Sequence, residues 1–317
     1  MALDHFIPQV HLKNFYSRTS PHVLYATRKS DLKRFPCKAK DVCRAEAGST
    51  NSFLREPRIV EKFLLDVEPH YNRALEKICG FEFDIKSVRA IAGFVAYINA
   101  CAPAAMRSHS APLKVQLETT AELLDARGDL PKSPPELGGK SLPELLKAGQ
   151  VRLRIDPKFP QAMGIDAFQY HQSLFGNSCW EILINNDPFV PFLTSDFPVA
   201  IENTGADVIN RIVPLSPNLA VRITPDISLR GTAPALSFQN LRARVSHVGP
   251  QQIKYLNKLI VRSAEDLVFA SINSERIFRF VESNRHYRID VVGERLRTRN
   301  GYIHVFTQAI VPYRHKT

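Results

Sequence analysis

Several common signatures are missing from this chain, and each absence closes off a class of function. Five cysteines, Cys37, Cys43, Cys79, Cys101 and Cys179, are too few, odd in number and without a CxxC pair. Neither a disulfide framework nor a zinc ribbon is supported, and a reducing cytoplasm is the natural compartment. The opening MALDHFIPQV has no basic segment ahead of an apolar run, so it does not read as a signal peptide. The longest apolar window, IAGFVAYINACAPAAM, is too short and too broken to span a membrane. There is no Gly-x-Ser-x-Gly elbow, His-Glu-x-x-His helix, kinase set or dinucleotide fingerprint. Gly139-Lys140-Ser141 matches the end of a phosphate-binding loop, but Pro134 stands where the first glycine belongs and Pro143 follows at once. That segment reads as ordinary loop.

Acidic residues are also in short supply. Asp plus Glu is 31 against 42 for Lys plus Arg, a net charge of +11. Such an excess favours polyanionic partners, nucleic acid above all, through counterion release. No consecutive basic block concentrates it; LKRFPCKAK comes nearest and is interrupted by Phe35 and Pro36. At 44% hydrophobic and 23% charged, with 22 prolines, the 317 residues fit a globular protein with long ordered loops, in one large domain or two.

Hydrophobic spacing divides the chain. HVLYATRK and KDVCRAEA read as two strands of a hairpin joined by a basic loop. From Arg58 the period becomes helical: Val60, Phe63, Val67, Tyr71, Leu75 and Ile78 share a face, Pro69 falls inside and Gly80 stops it. Asp84 caps a second helix ending near Pro103, and a third covers 112–127 with Leu117, Leu123 and Leu124 inward. A Pro/Gly-rich surface loop lies near 128–150. VRLRID reads as a half-exposed strand and 161–176 as one helix; CWEILIN and NLAVRITPD read as strands. PQQIKYLNKLIVRSAEDLVFAS reads as one long helix, with 273–286 a shorter one and two strands closing the chain. The expected class is α+β: a helical N-terminal half packed on a mixed or antiparallel sheet formed mostly by the C-terminal half.

The candidate chemistry centres on WEILINNDPFVPFLTSDFPVAIENTGADVINRIVPLSP, residues 180–217, where Asp196 lies among apolar runs. A carboxylate there is costly to bury unless something pairs with it or binds it. Beside it stand His5, Glu61, Glu68 and Asn257. Each has a plainer reading: His5 satisfying a backbone carbonyl, Asp196 capping a turn, Glu61 and Glu68 on a solvated helix face. A mid-helix Asn257 near the core needs a partner. Arg279 and His286 bracket the end of a helix and read as a solvated end, with an Arg-and-His ribonuclease pair as the alternative.

His5-x-x-Pro8 with Leu12 and Phe15, the Glu61 to Glu68 helix, Trp180, Thr194-Ser195-Asp196-x-Pro198-Val199, Pro214-Leu215-Ser216-Pro217 and Leu256-Asn257 together resemble a bacterial family catalogued as domain of unknown function 4238. The resemblance runs over nearly the whole chain, in order, and implies a single domain over 1–317. Two departures stand out: His11 occupies a position that tends to be Tyr, and the Arg expected before Pro103 is missing, so an anion-binding role there would be lost or would pass to Arg107. The expectation is a soluble cytoplasmic hydrolase acting on nucleic acid, with His5, Glu68 and Asp196 catalytic. Asp196 and Glu61 would hold a divalent cation, and Ser195, Asn257 and Arg107 would bind substrate. The alternative is a nucleic-acid-binding or sensor module without catalysis, contacting phosphates through residues such as Arg152 and Arg154. No membrane association is expected.

Overall fold

Local sequence signals set most elements of the chain, which in this computed structural model is described over residues 3–205, 208–299 and 301–314. A strand, β1 (Leu3–His5), passes Pro8 into a short helix, α1 (Gln9–Lys13), and then come β2 (Leu24–Arg28), β3 (Arg34–Cys37) and β4 (Arg44–Glu46). Helices follow: α2 (Ile59–Cys79), α3 (Ile85–Cys101), α4 (Pro103–Ala126), α5 (Leu142–Lys147), α6 (Lys158–Asp166) and α7 (Phe168–Gly176). The remainder runs β5 (Cys179–Ile184), β6 (Thr194–Ser195), β7 (Ala200–Asn203), β8 (Ile209–Ser216), β9 (Leu219–Thr224) and β10 (Arg242–His247). It ends with α8 (Pro250–Ser263), β11 (Leu267–Ala270), α9 (Glu275–Asn284), β12 (Tyr287–Thr298) and β13 (Gly301–Pro312). Helices lie mostly in the first half and strands mostly in the second, as the α+β expectation requires.

The helical layer is built around α3, which is buried on every side from Ala90 to Cys101. Asp84 accepts from the Ser87 amide at 2.7 Å and starts it. Gly93 permits its neighbours to approach: a Cβ there would lie 2.7 Å from Gln172 Nε2 on α7 and 2.8 Å from Val67 Cγ2 on α2. The main sheet has the order β10-β5-β9-β8-β7, with β10 and β5 parallel and the rest antiparallel. Alternate residues serve opposite faces. Trp180, Ile182, Val213, Leu215, Val221 and Ile223 join the core beneath α2 and α3, while Leu183, Ile212 and Ala220 pack against Ile253, Leu256 and Ile260 of α8. A second sheet runs β3-β2-β11-β6, β1 pairs with β4, and β12 with β13 forms a long hairpin against α4. Among the described residues no single helix is long and apolar enough to cross a membrane; α3 and α4 pass such a test only together, bent by 58°.

Five expectations need correction. The hairpin partner of β2 is β3, inside the stretch read as a loop, while 44–46 crosses to β1. The third helix begins at Pro103, where proline suits the first turn, and Leu117 and Leu123 are 46% and 62% exposed rather than inward. Residues 151–156 form no strand, so Arg152 and Arg154 are not presented on one. The helix read over 161–176 breaks at Ala167 into α6 and α7. The long helix stops at Ser263 and its expected second half is β11, because a side chain from 70 residues upstream claims the amides that would have continued it.

Candidate functional site

That side chain is Asp196. Strand β6 pairs with β11 through Val268 and Phe269, and the Asp196 amide donates to the Leu267 carbonyl at 3.0 Å. This places the carboxylate under the turn that follows α8. Oδ1 accepts from the Glu265 amide, and Oδ2 from those of Asp266 and Leu267, each at 2.8 Å. Burial pushes the carboxyl up to about 6, against the pull of the Leu267 and Asp266 amides and of the Lys29 ammonium. Lys29 is fully buried and donates to the carbonyls of Ala264 at 2.6 Å and Tyr287 at 2.8 Å; burial draws it down to about 8. Arg107 of α4 completes the knot, bonded to Glu265 through Nε at 3.0 Å and Nη2 at 2.7 Å, to Asp290 at 2.9 Å and to the Ile289 carbonyl at 2.8 Å. The group therefore fastens α8, β2, α4 and the terminal hairpin together.

The other expected site residues are occupied locally. His5 Nε2 bonds the Lys40 carbonyl at 3.2 Å, and its Nδ1 meets Gln9 at 3.5 Å. Glu61 pairs with Arg58 on the exposed start of α2, Nε to carboxylate 2.8 Å. Glu68 is half-buried, its carboxyl raised by burial and opposed by Lys13. Ser195 Oγ accepts from the Phe197 amide at 3.1 Å. Asn257 holds the loop before β6 onto α8: its Oδ1 accepts from the Leu193 amide and its Nδ2 donates to the Pro191 carbonyl, both at 2.9 Å. Among the described residues no three His, Cys, Asp or Glu side chains are grouped to hold a metal ion. Asp196 and Glu61 are not brought together as ligands: the first gives its oxygens to three amides, the second to an arginine. Arg107 does bind anionic groups, but they are the chain's own carboxylates.

One buried imidazole was noticed in the sequence only as a departure from a family pattern. His11 has no solvent exposure, and its ring stacks on Phe94 with centroids 4.8 Å apart. Nδ1 lies 2.8 Å from the Tyr71 hydroxyl and Nε2 2.8 Å from Thr194 Oγ1. Each hydroxyl can give or take a proton, so a neutral ring is satisfied on both sides. Burial draws it down to about 3.

The loop held by Asn257 also forms one wall of a groove of about 500 Å³ between α8 and α9. Lys254, Lys258 and Arg262 recur every four residues on α8 and so form one stripe; Arg276 and Arg279, three apart on α9, face the same space. Between them the lining is apolar: Val190, Leu193, Ile277 and Phe280, with Phe189 81% exposed at the mouth. Among the described residues no carboxylate lines it, and Glu275 pairs with Arg279 at 3.5 Å. Arg262 is braced by the Tyr287 ring at 3.8 Å and by Asn284 at 2.9 Å. Sequence reasoning placed Asn257 and Arg279 but missed the lysines, although their four-residue spacing was visible in the sequence.

A family model, described as protein of unknown function (DUF4238), matches residues 4–274, and the chain belongs to that family. The match takes in Asp196 with its three amides, Lys29, Arg107 and α8, and stops short of α9 and of the terminal hairpin to which Lys29 and Arg107 bond. No curated protein and no solved structure matches the chain.

Proposed function

We propose that this protein binds single-stranded nucleic acid along the α8–α9 groove and acts as a binding module. The observation that carries this reading is the pair of basic stripes flanking an apolar slot with no carboxylate in its lining among the described residues. Proteins that hold single strands combine a cationic track for phosphates with aromatic faces on which bases stack, and the +11 charge draws such a partner in. Phosphates would sit along both stripes, on Lys254, Lys258, Arg262, Arg276 and Arg279, with a base on Phe189. The hydrolase expectation rested on Asp196 together with His5, Glu68 and Glu61; three backbone amides occupy the Asp196 oxygens, which favours the binding reading.

The test is fluorescence anisotropy with a labelled oligonucleotide of mixed sequence, single- and double-stranded, across a salt series. Each phosphate contact to a single strand contributes about −0.7 to the slope of log K against log salt. Five cations give about −3.5, so raising salt from about 50 to about 200 mM should weaken binding by roughly 100-fold. Replacing Lys254, Lys258 and Arg276 with Gln should flatten the slope by about 2. Unchanged binding in that variant overturns the reading. Cleavage in the presence of Mn²⁺ that is abolished in a folded Asp196→Asn variant would restore the hydrolase in its place.

A further inference from the structure

A second space, on the opposite side of the main sheet from α8, contains a charge that the fold leaves unanswered. The cavity measures about 840 Å³, within the range of small-ligand sites, and lies among α3, α4, α7, the β7–β8 pair and the terminal hairpin. Arg211 of β8 lines it. Its Nε and Nη1 have no accessible area and no hydrogen-bond partner, and among the described residues it forms no ion pair. Among the described residues no Asp or Glu lines the space.

Two other partly buried arginines are treated differently. Arg222, on the neighbouring strand, is bonded to Glu181 and Glu202, and Arg107 to Glu265 and Asp290. A guanidinium withdrawn from water without a counter-charge costs several kcal/mol. Two further polar atoms point the same way: Asn99, 8% exposed, has a buried Oδ1 without a partner, and so does Gln308 at Oε1. The Asn99 amide nitrogen is already committed to the Val95 carbonyl at 3.0 Å, which fixes its oxygen as the free acceptor. His109 and His171 line the same wall, and burial together with the Arg211 charge keeps both rings neutral, His171 drawn down to about 4. Arg211 is thus the buried charge facing the centre, beside the aromatic rings of Phe175 and Phe306, while Arg230 also lines the space but is exposed.

We propose that this cavity is a binding site for a small organic anion, its phosphate or carboxylate group seated against Arg211 and its hydrogen-bond donors on Asn99 and Gln308. The ligand supplies the missing counter-charge, and the aromatic walls take its apolar body. The site is separate from the basic groove, so neither reading depends on the other.

The experiment is thermal unfolding of the intact protein in sodium phosphate and in sodium acetate, against sodium chloride at matched ionic strength. In wild type, phosphate or acetate should raise Tm by about 2 °C or more over chloride, and the larger shift tells which anionic group the site prefers. Arg211→Gln should abolish that difference. In chloride alone the same variant should melt at or above the wild-type temperature, because it removes an unpaired buried charge; a merely structural arginine would give a lower one. Its oligonucleotide binding should match wild type. Equal curves in all three salts for wild type, an anion response retained in Arg211→Gln, or a lowered melting temperature in chloride each overturn the assignment.

Discussion

Acidification should destabilise this protein through His11, and the size of the effect follows from its surroundings. In the unfolded chain the imidazole takes a proton near pH 6.5, whereas in the folded chain burial holds it neutral down to about 3. Between those values the unfolded state binds one more proton, so stability rises with pH. This contribution is fully present above pH 6.5 and is lost as the pH falls towards 3. At roughly 1.4 kcal/mol per pH unit, lowering the pH from about 6.5 to about 5 should remove about 2 kcal/mol. Asp196 works in the opposite direction, since its raised carboxyl takes up a proton in the folded state first, between about 6 and 3.8. His171 works in the same direction as His11. A comparison with His11→Gln cancels both. The variant keeps a donor and an acceptor for Tyr71 and Thr194 but does not titrate. Urea unfolding of both proteins at several pH values should show a stability difference that favours wild type near neutrality and shrinks by about 2 kcal/mol towards pH 5. A difference that stays constant over that range would refute the neutral, doubly bonded ring.

Other positions give equally direct tests. Asp196→Asn sets an NH₂ group against backbone N–H donors and takes from Lys29 the first of three nearby carboxylate charges; a loss of about 3–5 kcal/mol is expected in urea unfolding, and an unchanged midpoint would show that the three amide bonds contribute nothing. Gly93→Ala drives a methyl into Gln172 and Val67, and should lower stability by about 1–3 kcal/mol, read as a fall in Tm. Phe189→Ala should weaken oligonucleotide binding by about 1–3 kcal/mol without changing the salt slope, since a stacked base carries no charge. A changed slope would mean that Phe189 positions the cations instead.

What the sequence revealed was whatever neighbouring residues decide among themselves. The periodicity of α2, the Asp84 cap and the apolar run of β5 each sit within one element, and the α+β division follows from them. The misreadings fall where a distant group decides. Residues 250–271 keep a helical spacing of apolar side chains past Ser263, yet the chain turns there, because Asp196 takes three successive amides. Asp196 itself was recognised as an expensive carboxylate needing partners, but a sequence does not say whether those partners are a cation or peptide N–H groups. Arg211 was passed over altogether. Nothing in INRIVPLS distinguishes an arginine facing an enclosed space from one facing water, since that depends on where the hairpin lies.

The hairpin lies outside the segment shared with the family, and its base is stitched down by two cations from the first half of the chain: Lys29 at the Tyr287 carbonyl, Arg107 at Ile289 and Asp290. Its far end projects Leu296, Tyr302 and Ile303 outward and meets α4 through His304 Nε2, 3.5 Å from Thr119 Oγ1. Clipping that tip would leave the chamber roofed. A chain ending before Tyr287 would instead turn the chamber into an open dish, in which water hydrates Arg211 and no anion is required.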